Sequence, residues 1–163
     1  MTDAAFPAPE AAPSRLRIAR WLALLVPASL LGGALGSQYL GGLAPCEMCY
    51  WQRWPHGAAI ALAALAFIVP ARARVLTVLA AMAIAVSGTI GVYHAGVEAG
   101  VFEGLTACTA TGAGSLADIM ATPLVRCDQI QFAFLGISMA GWNAVLSLGA
   151  AIIIAWLVWS DRK

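Results

Sequence analysis

The sequence predicts an all-α membrane protein, a four-transmembrane-helix bundle with both termini cytoplasmic and a cysteine pair in each of two extracytoplasmic loops. Three observations carry this expectation. The chain is 61% hydrophobic and only 10% charged, whereas about 25% of residues are charged in an ordinary soluble domain. Four apolar stretches, about 17–37, 50–69, 75–95 and 132–159, can each supply the roughly 20 residues that a hydrocarbon core about 30 Å thick requires. Finally, seven of the nine basic residues fall on one side when four spans are drawn, the side on which Lys and Arg are retained.

The elements follow in chain order. Residues 1–14, rich in Ala and Pro, have too little to bury and read as a disordered cytoplasmic tail; 15–163 then form one membrane domain. Arg15, Arg17 and Arg20 hold the start of the first span inside. A cleavable signal peptide ending near Ala34-Leu35-Gly36 is the competing reading, but its removal leaves an odd number of spans and spoils the charge pattern. Gly41, Gly42 and Pro45 break the chain before the second span. Pro70, Arg72 and Arg74 mark the inner turn to the third, and a mixed loop, about 96–131, leads to the fourth, which Arg162 and Lys163 close. Gly32, Gly36, Ser87, Gly91, Gly136 and Ala140 recur at four-residue spacing and suit close helix approach. Trp142 and Asn143 read as an aromatic wedge and an interhelical hydrogen bond. The net charge of +1 offers no attraction for a nucleic acid.

All four cysteines, Cys46, Cys49, Cys108 and Cys127, fall in the two segments assigned to the outside, where disulfides persist. Four cysteines allow three pairings; the natural grouping is one pair per loop. A C-x-x-C bridge closes so small a ring that it is a poor staple, and such bridges are often reactive. Cys49 opens the second helix, where orphan amides and the helix dipole favour a thiolate. Arg53, four residues on, shares its face. A snorkelling anchor is the bland reading of that arginine, but its register with Cys49 favours a fixed cation for a quinone carbonyl. Glu47, inside the motif, opposes a thiolate. The loop of eighteen residues between Cys108 and Cys127 holds Gly112, Gly114 and Pro123; its bridge is a staple or, as favoured here, a redox pair. Arg126 favours the Cys127 thiolate and Asp128 partly cancels it. Residues 115–125 read as a brief interfacial turn at best. His94 and Glu98, four apart, share a face, as a satisfied pair or as a site. No flavin or haem motif is present, since Cys49 is followed by Tyr50 and not His.

The runs APCEMCYWQRWPH, GVYHAGVE and CDQIQFAFLGISMAGWN resemble the disulfide bond formation protein B (DsbB) family over nearly the whole chain after the tail. The resemblance implies a bacterial inner-membrane enzyme that reoxidises a periplasmic thiol oxidase of the DsbA type and reduces ubiquinone or menaquinone, a relay known to keep the periplasm oxidising. Carried over, Cys108 forms the mixed disulfide with the partner, Cys127 resolves it, Cys46 exchanges with that pair, and Cys49 faces the quinone with Arg53 on its carbonyl. His94 tunes quinone protonation on the same basis. Two rivals are a vitamin K epoxide reductase-like enzyme, for which the active C-x-x-C is expected late in the chain, and a non-enzymatic bundle with structural disulfides. A structural zinc on four cysteines fits poorly, because the second pair lacks close spacing, so no metal is expected.

Overall fold

A computed structural model describes residues 14–104 and 125–161. The tail as far as residue 13, Cys108, most of the expected turn over 115–125, Arg162 and Lys163 lie outside the described residues.

Ser14 belongs to the bundle and not to the tail. Its hydroxyl accepts from the Arg17 amide at 3.3 Å, the bond that satisfies an orphan donor at a helix start, and helix α1 runs from there over Arg15–Tyr39. Helix α2 spans Glu47–Ile68 with Cys46 as its N-cap. Pro70, which lacks the amide to continue a helix, opens a 3-10 turn, Pro70–Arg72. Helix α3 follows over Ala73–Glu98. It ends in a Schellman turn: Gly100, at φ +70°, sits at C′, and Val101 N donates to Gly96 O at 2.8 Å. Tyr93 then stacks on Phe102 with ring centroids 5.3 Å apart, a contact that Gly96 permits because a Cβ there would lie 2.3 Å from the Phe102 ring.

The fourth helix departs from expectation. Residues 132–138 do not extend it; strands β1 (Ala133–Phe134) and β2 (Ile137–Ser138) pair antiparallel instead. Leu135 at φ +53° and Gly136 at φ +78° form the two-residue turn, a backbone that matches strand twist and cannot continue a right-handed helix. Ser138 then caps α4, Met139–Ser160, by accepting from Gly141 N at 3.1 Å.

The helices pack in a ring, each on its two neighbours. The starts of α1 and α3 and the ends of α2 and α4 share one end of the bundle. There Leu16 N donates to Asp161 Oδ1 at 3.3 Å, Arg20 donates to Ala66 O at 3.3 Å, and Arg74 donates to Val158 O at 2.6 Å while pairing with Asp161. Arginines placed on last-turn carbonyls satisfy orphan acceptors and complement the helix dipoles. The core near this end is built largely of alanine, with Ala19, Ala23, Ala59, Ala63 and Ala80 fully buried around Ile84 and Ile154. Large apolar side chains such as Trp21, Met82, Ile152 and Trp156 face outward. Small residues inside and large ones outside suit a lipid solvent, in which close backbone approach replaces hydrophobic burial as the source of association.

Three helices among the described residues are long and apolar enough to cross a membrane: Arg15–Tyr39, Pro70–Glu98 and Met139–Ser160. The expected second span is a helix too, but Gln52, Arg53 and His56 in its first half keep it below that apolarity. Gln52 and His56 are buried against the other helices.

Only some of the small residues lie at helix contacts. A Cβ on Gly91 would approach Ala140 O and Ala144 N of α4 at 3.0 Å, whereas Gly32 and Gly36 have nothing within 4 Å and Gly136 serves the hairpin. Gly91→Val should therefore destabilise the bundle by about 1–3 kcal/mol through overpacking, and Gly32→Ala should leave it unchanged or slightly more stable. Thermal unfolding in detergent checks both; equal midpoints for the two variants would remove the close α3–α4 contact from the account.

Candidate functional site

The end of the bundle away from the arginine-capped carbonyls gathers the chemistry. Because α2 starts at Glu47, the N-cap is Cys46 and not Cys49. The Cys46 sulfur accepts from Cys49 N at 3.4 Å, and the two sulfurs lie 3.1 Å apart, with Cys46 donating to Cys49. Glu47 stands in the first helical turn, where a carboxylate is stabilised by the helix dipole. That position supplies a local reason for an acid inside the motif.

The two thiols, just ahead of the segment 50–69, are driven apart. Cys49 is held below the ordinary thiol range, first by the hydrogen bond from Cys46 and further by the Arg53 charge, against the opposing effect of burial. Cys46 is pushed up by the same hydrogen bond and by its burial. One sulfur is thus suited to leave as a thiolate and the other to hold its proton, which distinguishes two cysteines that look alike in the sequence.

His94, on α3, reaches across to this pair. Its Nε2 lies 3.6 Å from Cys46 Sγ and 3.8 Å from Glu98 Oε1, so the His94–Glu98 pair read from the sequence forms, and it forms in contact with a cysteine. Both side chains are buried. Gln52 Nε2 lies 2.8 Å from His94 Nδ1. Cys46, Cys49 and His94 present three ligand atoms within 4.8 Å of one another, close enough to hold a soft cation.

Behind Gln52 a polar network continues into the bundle. Asn143 on α4 donates to Gln52 Oε1 at 2.7 Å and to Ser87 O at 3.2 Å. Its Oδ1 accepts from Ser147 at 2.9 Å and lies 2.9 Å from His56 Nε2. Ser87 donates to Gln52 O at 2.8 Å, so its small side chain carries a hydrogen bond as well as allowing close approach. Trp142 donates from its ring to Phe134 O at 2.9 Å, tying the hairpin to α4. Gln52 and His56 were missed by the sequence reading. The available signal was two polar residues four apart in the first half of a helix whose second half is apolar, a pattern that marks a satisfied interior face or a function within membranes.

Arg53 turns to α1. Its guanidinium donates to Gln38 Oε1 and to Ala34 O at 3.1 Å, and it lies 5.2 Å from the Tyr50 ring centroid. Its Nε is buried without a partner, as is Glu98 Oε2. Both residues line a cavity of about 650 Å³ that also takes in Cys46, Cys49 and His94. Apolar wall is contributed by Leu30, Phe132, Phe134 and Met139.

Of the second cysteine pair, Cys127 is described and Cys108 is not. Cys127 packs against the cluster of Cys46, Met48 and Val97, its side chain close to the Cys46 thiol and its main chain close to His94. Cysteines 78 or more positions apart in the chain thus meet at one point. Arg126 forms an ion pair with Asp128, which holds the Asp128 carboxyl below its usual range.

Comparison with known proteins identifies a family. The family model described as disulfide bond formation protein DsbB matches residues 16–157. No curated protein and no solved structure matches the chain.

In the reduced protein, alkylation at neutral pH should be faster at Cys49 than at Cys46, and Cys49 should stay reactive to lower pH than an ordinary thiol, because its thiolate persists there. Cys46→Ala should move the Cys49 midpoint to higher pH more than Arg53→Ala does, since both remove stabilisation of the thiolate and the sulfur hydrogen bond is the larger. Mass-spectrometric alkylation profiles against pH decide this; a Cys49 midpoint at the ordinary thiol value would refute the assignment.

Proposed function

The chain belongs to the DsbB family and is accordingly a multi-pass membrane oxidoreductase of disulfide bond formation; from that premise we propose that it reoxidises a periplasmic DsbA-type thiol oxidase and passes the electrons to a membrane quinone. The observation that carries this reading is the cavity lined by both Cys49 and Arg53 and apolar over much of its wall. An apolar pocket with a few convergent polar groups is what a lipophilic carbonyl ligand needs. In this reading the segment 50–69, most of α2, is the fourth span, both termini are cytoplasmic and the cysteines face the periplasm of the bacterial inner membrane.

The relay proceeds by thiolate attack and mixed disulfides. A thiolate of the reduced partner attacks Cys108 in the Cys108–Cys127 bridge and releases the Cys127 thiolate; the partner's second thiol then closes its own disulfide and releases Cys108. Cys127 attacks Cys46 in the Cys46–Cys49 bridge, and Cys49 leaves as the thiolate. The contact between Cys127 and Cys46 supports this exchange, and the environment that favours the Cys49 thiolate supports its role as leaving group. Cys108 then closes on Cys127 and releases Cys46. A bound quinone, ubiquinone or menaquinone, supplies an acceptor for two electrons and two protons. Arg53, which lines the cavity, would hold a carbonyl oxygen of that group. Cys49 surrenders the electron pair as Cys46 re-forms the bond to it, so the net change is oxidation of one partner dithiol for one quinone reduced.

Reduced protein in membranes, given quinone, should lose all alkylatable thiols with time. Cys49→Ala should keep its thiols reduced. Arg53→Ala should slow their loss by roughly 10- to 150-fold, the effect of removing a charged hydrogen bond worth about 1.5–3 kcal/mol. Counting alkylated cysteines over a time course is the measurement, and wild-type thiols that quinone leaves untouched would end the proposal.

A further inference from the structure

The orientation of the buried amides decides which nitrogen of His94 carries its proton. Hydrogen positions follow from the network of fixed donors and acceptors, and here two main-chain carbonyls, which only accept, set the starting points. Gln52 Nε2 lies 3.1 Å from Met48 O, so the amino group and not the oxygen of Gln52 must point that way. The same amino group lies 2.8 Å from His94 Nδ1, which must therefore accept. Asn143 Nδ2 lies 3.2 Å from Ser87 O, which independently directs its amino group to Gln52 Oε1 at 2.7 Å. Its Oδ1 takes the Ser147 hydroxyl on the other side. Reversing either amide would set its oxygen against a main-chain carbonyl inside a buried region, where an unsatisfied polar group is destabilising.

We propose that Gln52, held by Asn143, is a positioning residue that fixes His94 as the neutral Nε2–H tautomer, so that the ring donates to the Cys46 sulfur and is closed to a second proton or a metal ion. The surroundings of Nε2 suit a donor there: the Cys46 sulfur lies at 3.6 Å, within reach of a hydrogen bond to sulfur, and the Glu98 carboxyl oxygen lies at 3.8 Å, a charge contact beyond hydrogen-bond range. This assignment deepens the thiol site described above and rests on its reading as a redox centre. A sulfur released by disulfide exchange is a thiolate, and a fixed N–H beside Cys46 stabilises that charge without moving a proton. Selectivity follows from the same tautomer. Cys46, Cys49 and His94 are close enough for a metal ion, but a protonated Nε2 has no lone pair to offer, and the lone pair of Nδ1 is occupied by Gln52. A reduced dithiol that must return its electrons is thereby kept from becoming a three-ligand trap for a soft cation.

The chain has two histidines, which makes the test direct. Full-length protein labelled with nitrogen-15 at histidine, reduced and held in lipid nanodiscs, is examined by nitrogen NMR, with His94→Gln identifying the His94 signals. The expected result is an unprotonated Nδ1 and a protonated Nε2 in the wild type, with a proton gained at Nδ1 in Gln52→Glu, where a carboxylate replaces the donor. Zinc added to the reduced protein should shift the His94 ring nitrogens in Gln52→Glu and leave them in place in the wild type. A wild-type His94 protonated at Nδ1, or wild-type ring nitrogens that move on zinc addition, overturns the proposal, and neither result depends on how the variant folds. The readout needs no quinone turnover, so a failed relay and a failed tautomer assignment are separate outcomes.

Discussion

Asn143 joins α2, α3 and α4 at a single side chain: its amino group serves Gln52 and Ser87, and its oxygen serves Ser147 and lies beside His56. Inside an apolar bundle the alternative for each of these groups is an unsatisfied polar atom. The geometry of the thiol site is inherited from this constraint. Gln52 is placed by Asn143, His94 by Gln52, and His94 lies beside the sulfur of Cys46 and the main chain of Cys127. The rest of the interface can then be small and smooth. Gly91 on α3 meets Ala140 and Ala144 on α4, an approach that a larger residue would prevent, so glycine spacing and the amide network determine the same helix separation.

The bundle is divided by chemistry along its length. At one end arginines occupy the last-turn carbonyls of α2 and α4, and the core between is alanine with a few branched residues. At the other end polar side chains face inward and the cavity opens between Arg53 and the cysteines. Many of the large apolar residues, Trp21 and Trp156 among them, face outward. In water that arrangement would be an aggregation hazard; in lipid it leaves the interior free for small residues and polar groups. The same inversion accounts for α2. A helix with Gln52, Arg53 and His56 in its first half is a poor span by composition, yet two of those residues are buried by neighbouring helices and the third is engaged by α1.

Asymmetry between the two thiols is produced at the α2 terminus. Cys46 caps the helix and donates to Cys49, which also lies within the field of Arg53. The ordering of a nucleophile and a leaving group therefore arises from three residues within about two turns, and it requires the helix to begin at Glu47. Glu47 itself, which by sequence counts as an unfavourable neighbour for a thiolate, stands where the dipole favours it.

What the sequence determined by itself is the family, a helix within each of the four apolar stretches and the spacing of Arg53 from the C-x-x-C, because these depend on composition, period and local spacing. His94 and Glu98 were legible as a pair for the same reason, being one helical turn apart. Tertiary structure alone decided what lies between elements. That Cys127 comes to Cys46, that Gln52 and Asn143 stand behind His94, and that Arg53 engages Ala34 and Gln38 of α1 are contacts between residues far apart in the chain, for which no local pattern exists. The start of α4 was also beyond local reading: an apolar run such as 132–138 suits a helix or a hairpin equally by hydropathy, and the positive φ angles of Leu135 and Gly136 settle it. Periodicity reports which face of a helix is apolar, whereas a site built from four helices depends on which residues those faces bring together.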